Sequence, residues 1–171
     1  VDLSGSLGQQ IQAHIVSRDL NDLRPLAGNN LPVALNSGGS AIVNATITGK
    51  LSAPRIAGHA EVSNFAVQDR TFTRFAADIN ASPSGASLSN ATLTRGALQA
   101  NLSGSVALRN WKPENFGALK LDTTMRNADL ADILALAGLS DIHITGAATV
   151  DAHLAGTVGS PTGTADITVV N

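Results

Sequence analysis

Residues 39–51 read GSAIVNATITGKL, and this stretch decides the fold class. Ala41, Val43, Ala45 and Ile47 fall at every second position. Successive side chains of a β-strand point to opposite sides, so a period of two predicts a strand with one face buried. The same period runs through 97–108, where Leu98, Ala100, Leu102, Val106 and Leu108 share a face. It recurs in 146–158 with Ala148, Val150, Ala152, Leu154 and Val158. Residues 58–67, 71–81, 86–94, 117–126 and 163–170 are further strands, and Gly, Asn, Ser or Pro separates most of them. The chain is therefore mainly β.

Two short pieces depart from this period. RDLNDLRPLA at 18–27 and DLADILALA at 129–137 space Leu and Ile three and four apart, which predicts helices of two to three turns. Asp lies early in each, where a carboxylate accepts from free backbone N–H groups. Gly28 and Gly138 stand at the natural stops, and Pro25 shortens the first helix.

These pieces expose an internal repeat. DLNDLRPLAG at 19–28 matches DLADILALAG at 129–138, and GSAIVNATITGKLSAP at 39–54 matches GAATVDAHLAGTVGSP at 146–161. One unit of about 110 residues, near 14–123, is followed by an incomplete second at 124–171. Alternation reaches both termini, so 1–171 is expected to be a fragment of a longer repeat protein. Gly49 and Gly156 sit inside strands, where Gly marks a bulge or bend. Pro54 and Pro161 lack an N–H for a ladder and belong between strands or at an edge. Repeated corners of this kind predict a solenoid, a curved sheet or a half-pipe.

Composition narrows the function classes. Hydrophobic residues make up 43% of the 171 residues, yet there are only four Phe, one Trp and no Tyr. The apolar surface is therefore aliphatic. Eleven basic and thirteen acidic residues give a net charge of −2; no basic stripe follows a phosphate backbone, which argues against nucleic acid. The absence of Cys excludes disulfides, thiolate metal sites and a Cys nucleophile. No apolar run reaches the length of a transmembrane helix.

A strand ending in G-x-h-x-x-P (h apolar), then a Gly, then an alternating strand closing in Asn and an apolar residue, resembles the AsmA/TamB-like proteins of Gram-negative envelopes. The residues are GKLSAPRIAGHAEVSNFAV at 49–67 and GTVGSPTGTADITVVN at 156–171, with the D-L-x-D helices between strand groups. The sequence departs from the pattern in its gap from Pro to Gly, four residues at Pro54–Gly58 and two at Pro161–Gly163. The resemblance, with the TamB branch favoured, implies an elongated antiparallel-type sheet curled into a trough, a β-taco, with an apolar lining. It implies a periplasmic protein anchored in the inner membrane. It also implies phospholipid transport between the two membranes, or outer-membrane protein assembly with a barrel partner of the Omp85 type. It implies no catalytic residues and no cofactor.

The alternating faces supply a candidate groove lining: Val43, Ile47, Leu51, Val62, Leu98, Leu102, Val106, Val150, Leu154, Val158 and Ile167. Acyl chains suit such a surface because they need area and no directional partner, at about 0.8 kcal/mol per buried CH₂. The same faces also fit an ordinary closed core. His14, His59, His143 and His153 each stand alone, without metal-ligand spacing, and read as solvent-facing strand residues. Asp19, Asp22, Asp129 and Asp132 recur at repeat positions as helix caps. No G-x-S-x-G, no Ser–His–Asp set and no phosphate loop is present, so an enzyme is not expected. Asn44, Asn90 and Asn101 head N-x-[ST] triplets that read as chance. WKPENF at 111–116 breaks the alternation; it is either a loop pinned by Trp111 or a contact with a partner or membrane surface. The competing function is a purely structural β-solenoid stalk, as in an adhesin or autotransporter passenger.

Overall fold

The structure is a computed structural model that describes residues 1–6, 10–20, 33–34, 38–50, 52–67, 70–131 and 146–170. Ten strands follow one another across a single open sheet in chain order: β1 (Asp2–Ser6), β2 (Gln10–Ser17), β4 (Ser40–Lys50), β5 (Ala53–Val67), β6 (Arg70–Ser82), β7 (Gly85–Arg95), β8 (Leu98–Arg109), β10 (Ala118–Asp129), β11 (Ala147–Thr157) and β12 (Ser160–Val170). Two two-residue strands lie off this path. β3 (Val33–Ala34) pairs with β5, and β9 (Lys112–Pro113) pairs with β8. Every pairing is antiparallel, the arrangement that short connections allow.

Asparagine sets the phase of the alternation at three places. Asn64, Asn90 and Asn127 adopt φ of 54°, 51° and 53°, left-handed values that Asn tolerates better than most residues. Asn90 lies where the β7 register shifts against both neighbours, and Asn127 where β10 shifts against β11. Asn90 and Asn127 are thus β-bulges, in which an extra residue moves the following side chains to the other face. Apolar residues at 86 and 88 thus continue at 91 and 93, and those at 121 and 125 continue at 128. Past Asn64, Phe65 and Ala66 are both buried. The strand ends at Val67, the bound expected for it, and begins earlier, at Ala53.

The two corners match. Gly49 (φ +89°) stands opposite Pro54, and Gly156 (φ +119°) stands opposite Pro161. Each Pro is the second residue of its strand, inside the ladder's last pairs and not between strands. Of the two expected helices only the first residues are described. Ser17 Oγ accepts from the Asp19 N–H at 3.2 Å at the entry to the first turn. Asp129 Oδ1 accepts from Ala131 N–H at 3.0 Å, as a capping carboxylate does. Residues 21–27 and 132–137 lie outside the described residues.

Leu20 opens the first of these turns and is buried with Ala41 and Phe65, against Val62, Phe72, Phe75 and Leu93. Phe65 and Phe72 stack with centroids 5.4 Å apart. This is the one cluster of large buried side chains among the described residues. Among the described residues fourteen apolar side chains are buried, and ten of them are Ala. The accessible surface is 11054 Å² for 17.4 kDa, against about 7,900 Å² for a compact monomer of that mass. Such an excess fits the open sheet that the described residues form.

Candidate functional site

Residues directly opposite in an antiparallel pair project to the same side, so the register sorts the sheet into two faces. Following it from β2 to β12 gives one row of Ile15, Val43, Ala60, Ala77, Ala91, Leu102, Thr123, Ala152 and Ala165. A second row contains Ser17, Ala41, Val62, Phe75, Leu93, Ala100, Met125, Val150 and Ile167. A third contains Ile11, Ile47, Ile56, Ala81, Ala86, Val106 and Leu119. Nine predicted lining residues therefore share one continuous face: Val43, Ile47, Val62, Leu98, Leu102, Val106, Val150, Leu154 and Ile167. Val158 does not; it sits in the β11–β12 turn, where its N–H donates to Gly117 O at 3.0 Å. Leu51 lies outside the described residues.

The sequence reading missed Ile11, Ile15, Phe75, Ile79, Leu88, Leu93, Leu119, Leu121 and Met125 on this face. Their strands were recognised as strands or lie beside them, but no face was assigned. In β7 the Asn90 bulge puts the apolar residues out of phase, and Asn90-Ala91-Thr92 carries that signal.

Exposure on this face is graded by size. Ala77 is fully buried and Ala91 and Ala148 are nearly so, while Val43, Ile47, Val62, Leu102, Val106 and Leu154 are only half-buried. Larger side chains shield the small ones beside them and stay open to the medium above. Glycine permits this at three positions. A Cβ at Gly58 would lie 2.4 Å from Asn44 O, one at Gly104 would lie 2.6 Å from Lys120 O, and one at Gly163 would lie 2.7 Å from His153 O. The neighbouring Leu121 and Leu154 methyls lie over Gly104 and Gly163. A depression of about 270 Å³ on β10–β12 is lined by Leu121, Thr123, Ala152, Leu154, Gly163 and Ala165. Thr123 Oγ1 is buried there without a hydrogen-bond partner.

The opposite face is mostly polar, with Val16 and Ile42 paired and exposed on it. One row runs Asp2, His14, Asn44, His59, Asp78 and Ser89 by direct pairing, and a second runs Ser103, Asp122, His153 and Thr164. His14 Nδ1 lies 2.6 Å from Asn44 Oδ1; His59 and His153 Nδ1 lie 2.7 Å from Asp78 and Asp122 Oδ1. Hydrogen bonds from Asn90 and His59 hold the Asp78 carboxyl below its ordinary pKa, and His153 does the same for Asp122. These three histidines are exposed on strands, as expected; His143 lies outside the described residues. Among the described residues no three His, Asp or Glu side chains converge as metal ligands would. No helix among them is long and apolar enough to cross a membrane. No family model, curated protein or solved structure matches the chain.

Proposed function

We propose that this chain is a segment of a periplasmic, inner-membrane-anchored envelope protein of the AsmA/TamB-like kind, with the TamB branch favoured. Its apolar sheet face curls into a trough that carries phospholipid acyl chains between the inner and outer membranes. The same trough can shelter apolar strands of outer-membrane proteins during assembly with a barrel partner. The segment binds and conducts; it does not catalyse.

The observation that carries this reading is the partial exposure of the large aliphatic side chains Val43, Ile47, Leu102, Val106 and Leu154 across a mostly apolar face. A second layer of sheet or helix would bury Leu102 and Val106 as completely as Leu20 is buried. Apolar patches larger than a few hundred Å² on a soluble chain mark binding surfaces. Ten strands at about 4.8 Å give a face of order 50 Å across, enough for acyl chains, which need area and no directional partner. The unit of about 110 residues belongs to the same proposal. It is supported by the two Gly–Pro corners, by the capped turns after β2 and β10, and by Ala41 and Ala148 at matching buried positions.

Photocrosslinking residues at Val43, Ile47 and Leu102 should trap phospholipid in cells, and native mass spectrometry should find it on the purified chain. Adducts confined to polar-face controls such as Asn101, with lipid-free protein in the spectrometer, would overturn the reading in favour of a structural stalk.

A further inference from the structure

The connections at one end of the sheet carry a feature that an apolar face does not use. They are the turns at Pro83–Ser84 and Val158–Gly159 and the loop Asn110–Gly117. Phe116, at the tip of that loop, is 91% exposed, and Trp111 is 42% exposed. Asn110 and Trp111 both adopt left-handed φ, 50° and 68°, a conformation that a bulky residue seldom takes and that costs free energy. The loop is nonetheless fixed from both sides. Trp111 N–H donates to Pro83 O at 3.2 Å, Val158 N–H to Gly117 O at 3.0 Å and Gly159 N–H to Asn115 O at 2.9 Å. The two rings are thus presented outward on a backbone braced by neighbouring turns.

The charge at this end is one-sided. Residues 46–57, 79–88, 105–121 and 154–163 hold Lys50, Arg55, Arg109, Lys112 and Lys120 and the carboxylate Glu114, and Lys120 Nζ reaches Asp122 Oδ2, just beyond, at 3.4 Å. Glu114 pairs with Arg109 at 3.3 Å. Arg55 and Arg109 line one open depression of about 1070 Å³ together with Asn80, Ser82, Ser87 and Asn110. A chain of net charge −2 therefore has one distinctly basic end, carrying exposed aromatic rings and a hydroxyl-rich hollow. Aromatic rings settle at the headgroup level of a bilayer, and Lys and Arg are drawn to anionic lipid.

We infer that this end docks on the surface of an anionic phospholipid bilayer. Phe116 and Trp111 enter the interface, Lys112 and Lys50 meet lipid phosphates, and the Arg55–Arg109 hollow takes a headgroup. The inference does not depend on the apolar face holding lipid. It adds that docking brings the Ile47–Ile56–Val106–Leu119 end of that face beside the headgroups, where lipid could pass onto it.

Trp111 is the chain's one tryptophan, so its emission reports this site alone. The 171-residue chain is mixed with vesicles of phosphatidylethanolamine and phosphatidylglycerol, and with vesicles of phosphatidylcholine. The anionic vesicles should shift Trp111 emission to the blue, and brominated acyl chains should quench it. Added salt should weaken the binding. Phe116→Ser should weaken it about tenfold and Lys112→Ser about fivefold, with thermal melts unchanged because both side chains are exposed. No response to anionic vesicles, or equal binding by both variants, overturns the inference. Leu102→Asp separates it from the groove reading: that variant should lose bound phospholipid in native mass spectrometry and keep the Trp111 response.

Discussion

Truncating two leucines distinguishes an open apolar face from a closed core. Leu20 is 1% exposed and surrounded by Ala41, Phe65, Val62, Phe72, Phe75 and Leu93. Leu20→Ala removes its transfer free energy and leaves a cavity, together about 3 kcal/mol. Leu102 lies at the middle of the apolar face, half-buried between Ala91 and Thr123. Leu102→Ala gives up three carbons at about 0.8 kcal/mol each, roughly halved because the side chain is already part-solvated. It leaves no enclosed cavity, so the loss is about 1 kcal/mol. At about 2–4 °C per kcal/mol for a chain of this size, Leu20→Ala should lower Tm by roughly 6–12 °C and Leu102→Ala by roughly 2–4 °C. Urea denaturation followed by Trp111 emission, with the slope m unchanged, measures both losses. Equal losses at the two positions would mean that something covers Leu102, and the trough would give way to a closed core.

Thr123→Val keeps the shape of a buried side chain and deletes a hydroxyl that has no partner; stability in urea should rise by about 1 kcal/mol. Gly58→Val forces a Cβ within 2.4 Å of Asn44 O and 2.9 Å of the Ala45 methyl, and should cost about 2 kcal/mol or more. Gly96→Ala meets nothing within 4 Å but keeps φ at +57°, and should cost only about 1 kcal/mol. Asp78 and Asp122 have folded pKa values below their unfolded ones. Their contribution is complete above the unfolded value near pH 4 and is lost as pH falls through the lowered folded value. Asp78→Asn should therefore flatten the acid side of a plot of Tm against pH, with the loss of Tm largest near neutral pH and vanishing at low pH.

The strands legible in the sequence were those that keep phase. β4, β8 and β11 alternate without a bulge along most of their length, so Val43, Leu102 and Leu154 could be placed on one face from spacing alone. β7 and β10 contain Asn90 and Asn127 in left-handed geometry, and a strict period of two assigns the residues beyond them to the wrong side. The Asn90 amide donates to Asp78 Oδ2 at 2.8 Å while its backbone makes the bulge. Val158 was misplaced because alternation continues past Thr157 into a turn. The basic end was invisible for another reason. Lys50, Arg55, Arg109 and Lys112 are scattered along the sequence, and only hairpin register brings them to the same ends of adjoining strands.

Those observations converge on how a single layer supports itself. Among the described residues few large side chains are buried, chiefly Leu20, Phe65, Leu130 and Val150, so elsewhere the sheet protects its backbone and small residues from within one face. Alanine and glycine along the rows let the neighbouring Leu, Val and Ile lie across them, as Leu121 does over Gly104 and Leu154 over Gly163. The cost is that the covering side chains keep part of their own surface in contact with the medium. On the polar face, His59–Asp78 and His153–Asp122 tie adjoining strands at the other end of the hydropathy scale and hold the same register. A slip of one residue would exchange the two faces. An acyl chain laid along the apolar rows would finish the burial that the single layer leaves incomplete, so lipid binding and sheet stability should rise and fall together at Val43, Leu102 and Leu154, and independently at Phe116.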